Sequence, residues 1–293
     1  MLFIPITIAA AAFQVARNAT QRSLMPGAGP WGATLVRFLF GLPFSIAFLA
    51  LAFAVFPQSR LTGSAFFWGA GAAGGLCQIG ATAALLVSMQ RSSFALGTAF
   101  QQSQLLFTAT IGAAFFQDLL SPAAWLGVAL VTAGLLVLSW PKTGWRGDWS
   151  GAWLGLLSGV LFGMSSNAFR QAALSLGSEA PAVVAGIATL VAVQAMQSAA
   201  LSAWLAFRDR PSLMSALTSW RPSMRAGFFG AAASSLWFTG FVMAPASVVK
   251  AVGVVEMPIA ALAGRRLFAE KLTMLQWIVG TVTAVGVVLA AVG

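Results

Sequence analysis

Gly71-Ala-Ala-Gly-Gly-Leu-Cys-Gln-Ile-Gly80 and Ala231-Ala-Ala-Ser-Ser-Leu-Trp-Phe-Thr-Gly240 carry one pattern of small residues twice, 160 positions apart. Two further matches flank this one in the same order. Asn18-Ala-Thr-Gln recurs as Asn167-Ala-Phe-Arg at an offset of 149, and Asp118 followed by Trp125 recurs as Glu270 followed by Trp277 at an offset of 152. Ordered self-similarity at one period is the mark of an internal repeat. It divides the chain into two units, 1–140 and 145–293.

Each unit is made of apolar segments. Uncharged stretches run 38–59, 61–90, 92–117, 119–141, 149–169, 180–207, 226–249 and 272–293. All reach the roughly 20 residues that a helix needs to cross a bilayer. Segments 2–24 and 251–269 are apolar over most of their length with polar residues at one end. The hydropathy therefore predicts ten transmembrane helices, five per repeat, and the period-2 alternation of a transmembrane β-barrel is absent. Because five is odd, the second repeat enters the bilayer upside down, which is the architecture of secondary transporters with a site near the midplane. The expected fold is thus an all-α integral membrane protein of two inverted five-helix repeats around a central cavity. The N-terminus has no basic n-region and reads as a first mature helix rather than a removed signal.

Composition excludes other classes. Of 293 residues 59% are apolar and 8% charged, with no His, no Tyr and the single Cys77. No disulfide within the chain and no Cys/His metal site is expected, and no cofactor is implied. The six acids fall in six different segments, too sparse for paired-carboxylate catalysis, so an enzyme is not expected. The net charge of +10 sits mostly at helix ends and in connections, where it orients a chain in the inner (plasma) membrane rather than binding nucleic acid. No GxxxxGK[ST] motif is present, so transport energy comes from a gradient or the substrate itself.

Gly32-Ala-Thr-Leu-Val-Arg-Phe-Leu-Phe-Gly41, and above all Pro258-Ile-Ala-Ala-Leu-Ala-Gly-Arg-Arg-Leu-Phe-Ala-Glu270-Lys-Leu-Thr-Met-Leu-Gln-Trp-Ile-Val-Gly280 followed by Gly286-Val287, resemble the EamA-type repeats of the drug/metabolite transporter (DMT) superfamily. The resemblance covers the whole chain, and its last 40 residues are the most specific part. It implies ten helices in two EamA-like repeats and export of small metabolites, as in amino-acid exporters, including the YddG-type exporters of aromatic amino acids. The first repeat departs from the second in having Leu106 opposite Pro258, and from the family in having Asp118 at a position usually occupied by Glu.

The polar residues of the apolar segments are the candidate site. Gln14, Arg17, Asn18 and Gln21 stand at i, i+3, i+4 and i+7 and so share one helix face. That face meets a cavity or a partner, unless Arg17 and Gln21 lie beyond the hydrocarbon and snorkel. Asn167, Arg170 and Gln171 repeat the pattern in helix 6, making Asn18 and Asn167 a pseudo-symmetric pair. Gln101 and Gln104 share a face in helix 4, and Glu256 stands opposite Gln104 in helix 9. An ionisable group inside a span is a functional-site hypothesis or a paired structural charge. Arg37 can hold a carboxylate bidentately or snorkel. Gln78, with Gln194 and Gln197, offers donors and acceptors, or glue between helices, and Trp237 an aromatic wall or ordinary packing. The substrate-binding candidates are Gln14, Asn18, Arg37, Gln78, Gln101, Gln104, Asn167, Trp237 and Glu256. Gly151, Gly155, Gly159 and Gly163, like Gly71 and Gly75, form small-residue ladders that let helices approach closely.

The reading that follows is a secondary exporter of small metabolites, amino acids first, working as a monomer or homodimer with the lipid bilayer and a small-molecule substrate as its partners. A flippase for a lipid-linked carrier is the alternative, and an intramembrane enzyme the more distant one. Charge and resemblance disagree on orientation. Connections between helices 1–2, 3–4, 5–6, 7–8 and 9–10 collect 12 basic residues against three near the other face, which puts both termini outside, whereas the resemblance implies both in the cytoplasm.

Overall fold

Helices account for almost all of the computed structural model, which describes residues 2–91, 100–101, 103–118, 120–139, 149–177, 179–256, 278, 281–282 and 285–290. Helix α1 (Phe3–Leu39) is followed by α2 (Leu42–Val55), α3 (Ala65–Arg91), α4 (Gln104–Phe116), α5 (Pro122–Ser139), α6 (Trp149–Leu174), α7 (Ala182–Arg208), α8 (Arg210–Thr218), α9 (Trp220–Met243) and α10 (Ala246–Gly253). Residues 285–290 are also helical. Among the described residues, five segments are long and apolar enough to cross a membrane: Gly27–Val55, Ala65–Ser88, Ser150–Leu174, Ala182–Arg208 and Trp220–Met243.

α1 is one helix by hydrogen bonding but two by direction. Pro30 has no N–H to give and disfavours a helical residue before it, and Gly29 takes φ 63°, ψ −180°, a conformation open in practice only to glycine. The consequence is a reversal. On a straight helix Arg17 and Arg37 would stand about 30 Å apart. Instead, side-chain atoms of both lie within 3.6 Å of the point where a Cβ on Gly230 would sit. Gln21 Nε2 donates to the Ala33 carbonyl at 2.8 Å, and Leu24 and Val36 share one buried cluster. The arms Phe3–Ala28 and Pro30–Leu39 are therefore antiparallel, with the turn at Gly29 between them.

The chain forms two compact units, each drawing on both halves of the sequence. The first comprises Met1–Ile79 and Ala168–Ala244. In it α9 lies along α1, while α2 packs on α7 and α9. Phe44 and Phe48 meet the edge of Phe228 at 5.4 and 6.3 Å between ring centroids, and Ser45 Oγ donates to Gln194 Oε1 at 2.5 Å. Leu35, Phe38, Ile79, Leu201 and Leu205 form one buried cluster of this unit.

α8 closes one end of the first unit. Asp209 caps its N-terminus by accepting from Ser212 N at 3.2 Å. Ser215 Oγ donates to the Gly27 carbonyl at 2.9 Å, next to the turn of α1. Towards the other end, the Thr62 N–H donates to the Leu176 carbonyl at 3.1 Å.

The second unit comprises Gly80–Asn167 and Pro245–Gly293. Its buried cluster joins Leu105 and Ala109 of α4, Val128 and Val131 of α5, Ala251 of α10, Val254 and Ala290. Ser158 Oγ donates to the Ala81 carbonyl at 2.8 Å and Ser88 Oγ to the Gly151 carbonyl at 2.6 Å, so α3 and α6 run antiparallel here. The glycine ladder of α6 does what its spacing predicts. A Cβ on Gly159 would overlap Ser103 Oγ and crowd the backbone of Gln104, and one on Gly163 would crowd Phe107 and Thr108 at 3.0 Å.

Candidate functional site

The polar stripe of the first arm of α1 faces α9 within the first unit. Gln14 Oε1 accepts a hydrogen bond from Trp237 Nε1 at 2.9 Å, which satisfies the one donor that a buried indole carries. One residue earlier, the Phe13 ring lies 6.4 Å from that of Phe229. Trp237 continues into an aromatic band: Phe241 at 6.0 Å, Phe238 beyond it at 6.2 Å, and Phe169 stacked on Phe238 at 4.7 Å.

Further along the same seam stand two arginines. Arg17 is 7% exposed and Arg37 6%, so neither snorkels to an open surface. A Cβ on Gly230 would be 3.5 Å from Arg37 Cγ and 3.6 Å from Arg17 Cδ, so the missing side chain on α9 leaves room for both. The Arg37 guanidinium carbon is 5.3 Å from the Phe38 ring centre. In the first unit the sequence has two acids, Glu179 and Asp209. Asp209 Oδ2 accepts from Ser212 Oγ at 2.7 Å, and Glu179 is exposed.

The remaining candidates divide between the units. In the first, Gln78 Oε1 accepts from Gln197 Nε2 at 2.9 Å, and the same Nε2 reaches the Gly75 carbonyl at 3.1 Å, so this group joins α3 to α7. The side chain of Asn18 lies outside the described residues. In the second, Asn167 is 1% exposed, and its Nδ2 donates to the Thr108 carbonyl at 3.0 Å and the Gly163 carbonyl at 3.1 Å. Gln101 is half-buried. Gln104 is buried, and its Oε1 has no hydrogen-bond partner. Glu256 is half-buried at the end of the described stretch; Pro258 and Glu270 lie outside it.

Three members of the seam were absent from the set of substrate-binding candidates. Arg17 and Gln21 carried a signal, since they share the face of Gln14 at i+3 and i+7. Gly230 carried none, because a glycine opposite two arginines becomes visible only when α1 turns back at Gly29. Arg170 has a different place: its Nη1 donates to the Phe241 carbonyl at 2.5 Å and the Ala244 carbonyl at 2.9 Å. A guanidinium there satisfies carbonyls that the end of α9 leaves without helical partners.

No protein-family model matches the chain, and no curated protein matches it in sequence. Its fold does match known structures. One crystal structure, described only as that of a protein, aligns over 100% of this chain and 99% of its own with a TM-score of 0.72 at 17% identity. At that identity the likeness concerns the fold alone.

Proposed function

We propose that the chain is a secondary transporter of the drug/metabolite transporter type. In this reading it exports small metabolites, amino acids first, by alternating access through ten membrane helices arranged as two inverted five-helix repeats. The observation that carries this reading is the polar seam of α1 and α9. Gln14, Arg17, Arg37 and Trp237 are gathered along one seam of the first unit, and buried ionisable groups among membrane spans mark solute pathways by default.

Helix pairing supports the repeat. In the first unit helix 1 of the sequence lies against helix 8, seen in the Gln14–Trp237 bond. Helix 6 lies against helix 3, where a Cβ on Gly74 would meet the Phe169 ring at 2.6 Å and Ala168 at 3.0 Å. Exchange of the repeats turns the first pairing into the second, as a two-fold relation requires.

The test is flux. The protein reconstituted in liposomes should move some members of a panel of radiolabelled amino acids, with initial rates that change when a proton gradient is imposed. Flux indistinguishable from protein-free liposomes across the panel, with passage of a fluorescent lipid instead, would replace this reading by a flippase.

A further inference from the structure

We propose that α8 and the arginines at its two ends form a surface that lies in the headgroup region of the bilayer and holds anionic phospholipid. The inference needs α7 and α9 to cross the membrane; it does not need any solute to be carried. α8 joins the ends of these two long apolar segments, which sets it at a membrane boundary. Its nine residues make a helix about 14 Å long, and exposure divides that helix lengthwise. Ala216 is buried in the cluster of Leu24 and Val36, and Leu213 packs on the cluster of Leu35 and Phe38. On the other side Arg210, Met214 and Leu217 are exposed, and their i, i+4, i+7 spacing puts them on one face. The inner face is pinned to the turn of α1: the Ser212 carbonyl oxygen stands 3.0 Å from where a Cβ on Gly32 would sit, and Ser215 bonds the Gly27 carbonyl. α8 cannot roll to bury Met214 and Leu217 without losing these contacts.

The outer face is apolar in the middle and cationic at the ends. Phe207, in the last turn of α7, is 89% exposed and Trp220, which opens α9, 55%, as side chains in the boundary between headgroups and acyl chains are. Arg208 and Arg210 stand at one end of α8; Arg221 and Arg225, at the other, are one turn apart on α9, and all four are exposed. The acids of the first unit, Asp209 and Glu179, do not neutralise them. Asp209 is committed to the cap of α8 through Ser212 N and Oγ, and Glu179 precedes α7, a helix about 40 Å long, at the end away from α8. Among the described residues Arg208, Arg210 and Arg225 form no ion pair or hydrogen bond, and the contact of Arg221 is the Trp220 ring at 5.4 Å. Guanidinium forks match phosphate oxygens, while acyl chains meet the apolar strip. A free phosphate shares the first contact and lacks the second. A choline headgroup adds a cation that the arginines repel, whereas a glycerol headgroup adds none, so the surface selects anionic lipid. Because α8 rests on the turn of α1, lipid that holds α8 also holds that turn.

The experiment counts bound lipid. Purified full-length protein in an uncharged detergent is mixed with equal amounts of phosphatidylglycerol and phosphatidylcholine of the same acyl chains, and the lipids retained are counted by native mass spectrometry. Thermal unfolding is followed with each lipid alone. The wild type should retain phosphatidylglycerol at least about tenfold over phosphatidylcholine and unfold at a higher temperature with it. Arg208→Gln with Arg210→Gln, and Arg221→Gln with Arg225→Gln, should each lower the preference by about three- to tenfold. All four together should bring it to within about twofold of parity, and the four Arg→Lys substitutions, which keep the charge, should keep most of it. Arg60→Gln, at an exposed arginine of the connection between α2 and α3, should change nothing.

Equal retention of the two lipids by the wild type, or a preference that survives the fourfold glutamine variant, overturns the proposal. So does glycerol 3-phosphate that displaces the lipid at millimolar concentration, since the surface would then be a site for a soluble anion. Should the fourfold variant fail to fold, the two double variants and the lysine variant decide. A protein that prefers phosphatidylglycerol yet carries no amino acid in liposomes keeps this surface and loses the transport reading; one that carries amino acids with no lipid preference does the reverse.

Discussion

Asn167 and Arg170 come from one helical stripe, three residues apart, and do separate work. Asn167 ties α6 to α4 through the Thr108 carbonyl, while Arg170 closes the end of α9 with two carbonyl bonds. Arg170→Ala removes both bonds from part-buried carbonyls at the end of α9, so it should lower stability by about 1–3 kcal/mol. Thermal unfolding in detergent checks this, and Arg170→Lys, which lacks the planar fork, should recover only part of the loss. Glu256 belongs to another category. As the acid that the sequence places within an apolar span, it is expected to couple transport to protons. Glu256→Gln should therefore cut the proton-dependent part of the flux by tenfold or more while shifting the unfolding temperature little. A variant whose flux keeps its pH dependence from pH 5 to 8 removes Glu256 from coupling. A stripe in sequence says that a face is polar; it does not say whether each polar atom meets a backbone carbonyl or a ligand, because that depends on the helix lying opposite.

Between elements, glycine sets how closely helices approach, and its two roles on α9 can be separated. A Cβ on Gly227 would overlap the Phe40 carbonyl group, which is backbone and cannot move aside. Three residues on, a Cβ on Gly230 meets nothing closer than the Arg37 stem at 3.5 Å. Gly227→Ala should then cost about 1–3 kcal/mol or more, and Gly230→Ala well under 1, as thermal unfolding of the two variants side by side would record. If Gly230→Ala is the more damaging, the space over it is tighter than argued. Gly29→Ala forces an L-residue into a glycine conformation and should cost about 1–3 kcal/mol through strain alone, since the space around it is open, with Ser212 Oγ 3.7 Å away. At this scale much was legible. The uncharged stretches delimited the long helices, and the ladder Gly159 and Gly163 marked a close seam. What was not legible was pairing: nothing in the sequence of α9 says that Gly230 faces Arg17 and Arg37. The polar residues of helix 1 were therefore gathered into one seam only once that neighbour was known.

On the scale of the molecule, the ends of the helices bear on how the chain enters the membrane. In the first unit Ser215 joins the 7–8 connection to the 1–2 turn at Gly27, and Thr62 joins the 2–3 connection to the end of helix 6 at Leu176. In the second, Arg91 Nη1 donates to Ser150 Oγ at 3.2 Å, which joins connection 3–4 to connection 5–6. Odd-numbered connections thus meet odd-numbered ones within each unit, as a chain that crosses back and forth requires. The odd connections collect 12 basic residues against Arg60, Arg170 and Lys250 near the other ends. Burial revises both numbers. Arg17 sits inside the seam and leaves the first group, and Arg170 caps α9 and leaves the second, so 12 minus one faces three minus one. Arg91, Arg208, Arg210, Arg221 and Arg225 are exposed, as residues that face lipid headgroups or cytoplasm should be. The bias survives, and loops rich in Lys and Arg stay in the cytoplasm. On the ten crossings proposed above, odd connections inside place both termini outside, against the orientation that the family resemblance implies. A C-terminal alkaline phosphatase fusion should then be active and a C-terminal green fluorescent protein fusion dark. The opposite pair of results would mean that the arginines around α8 are held at the outer face, and that the charge count, even with the buried arginines removed, does not set the orientation of this chain.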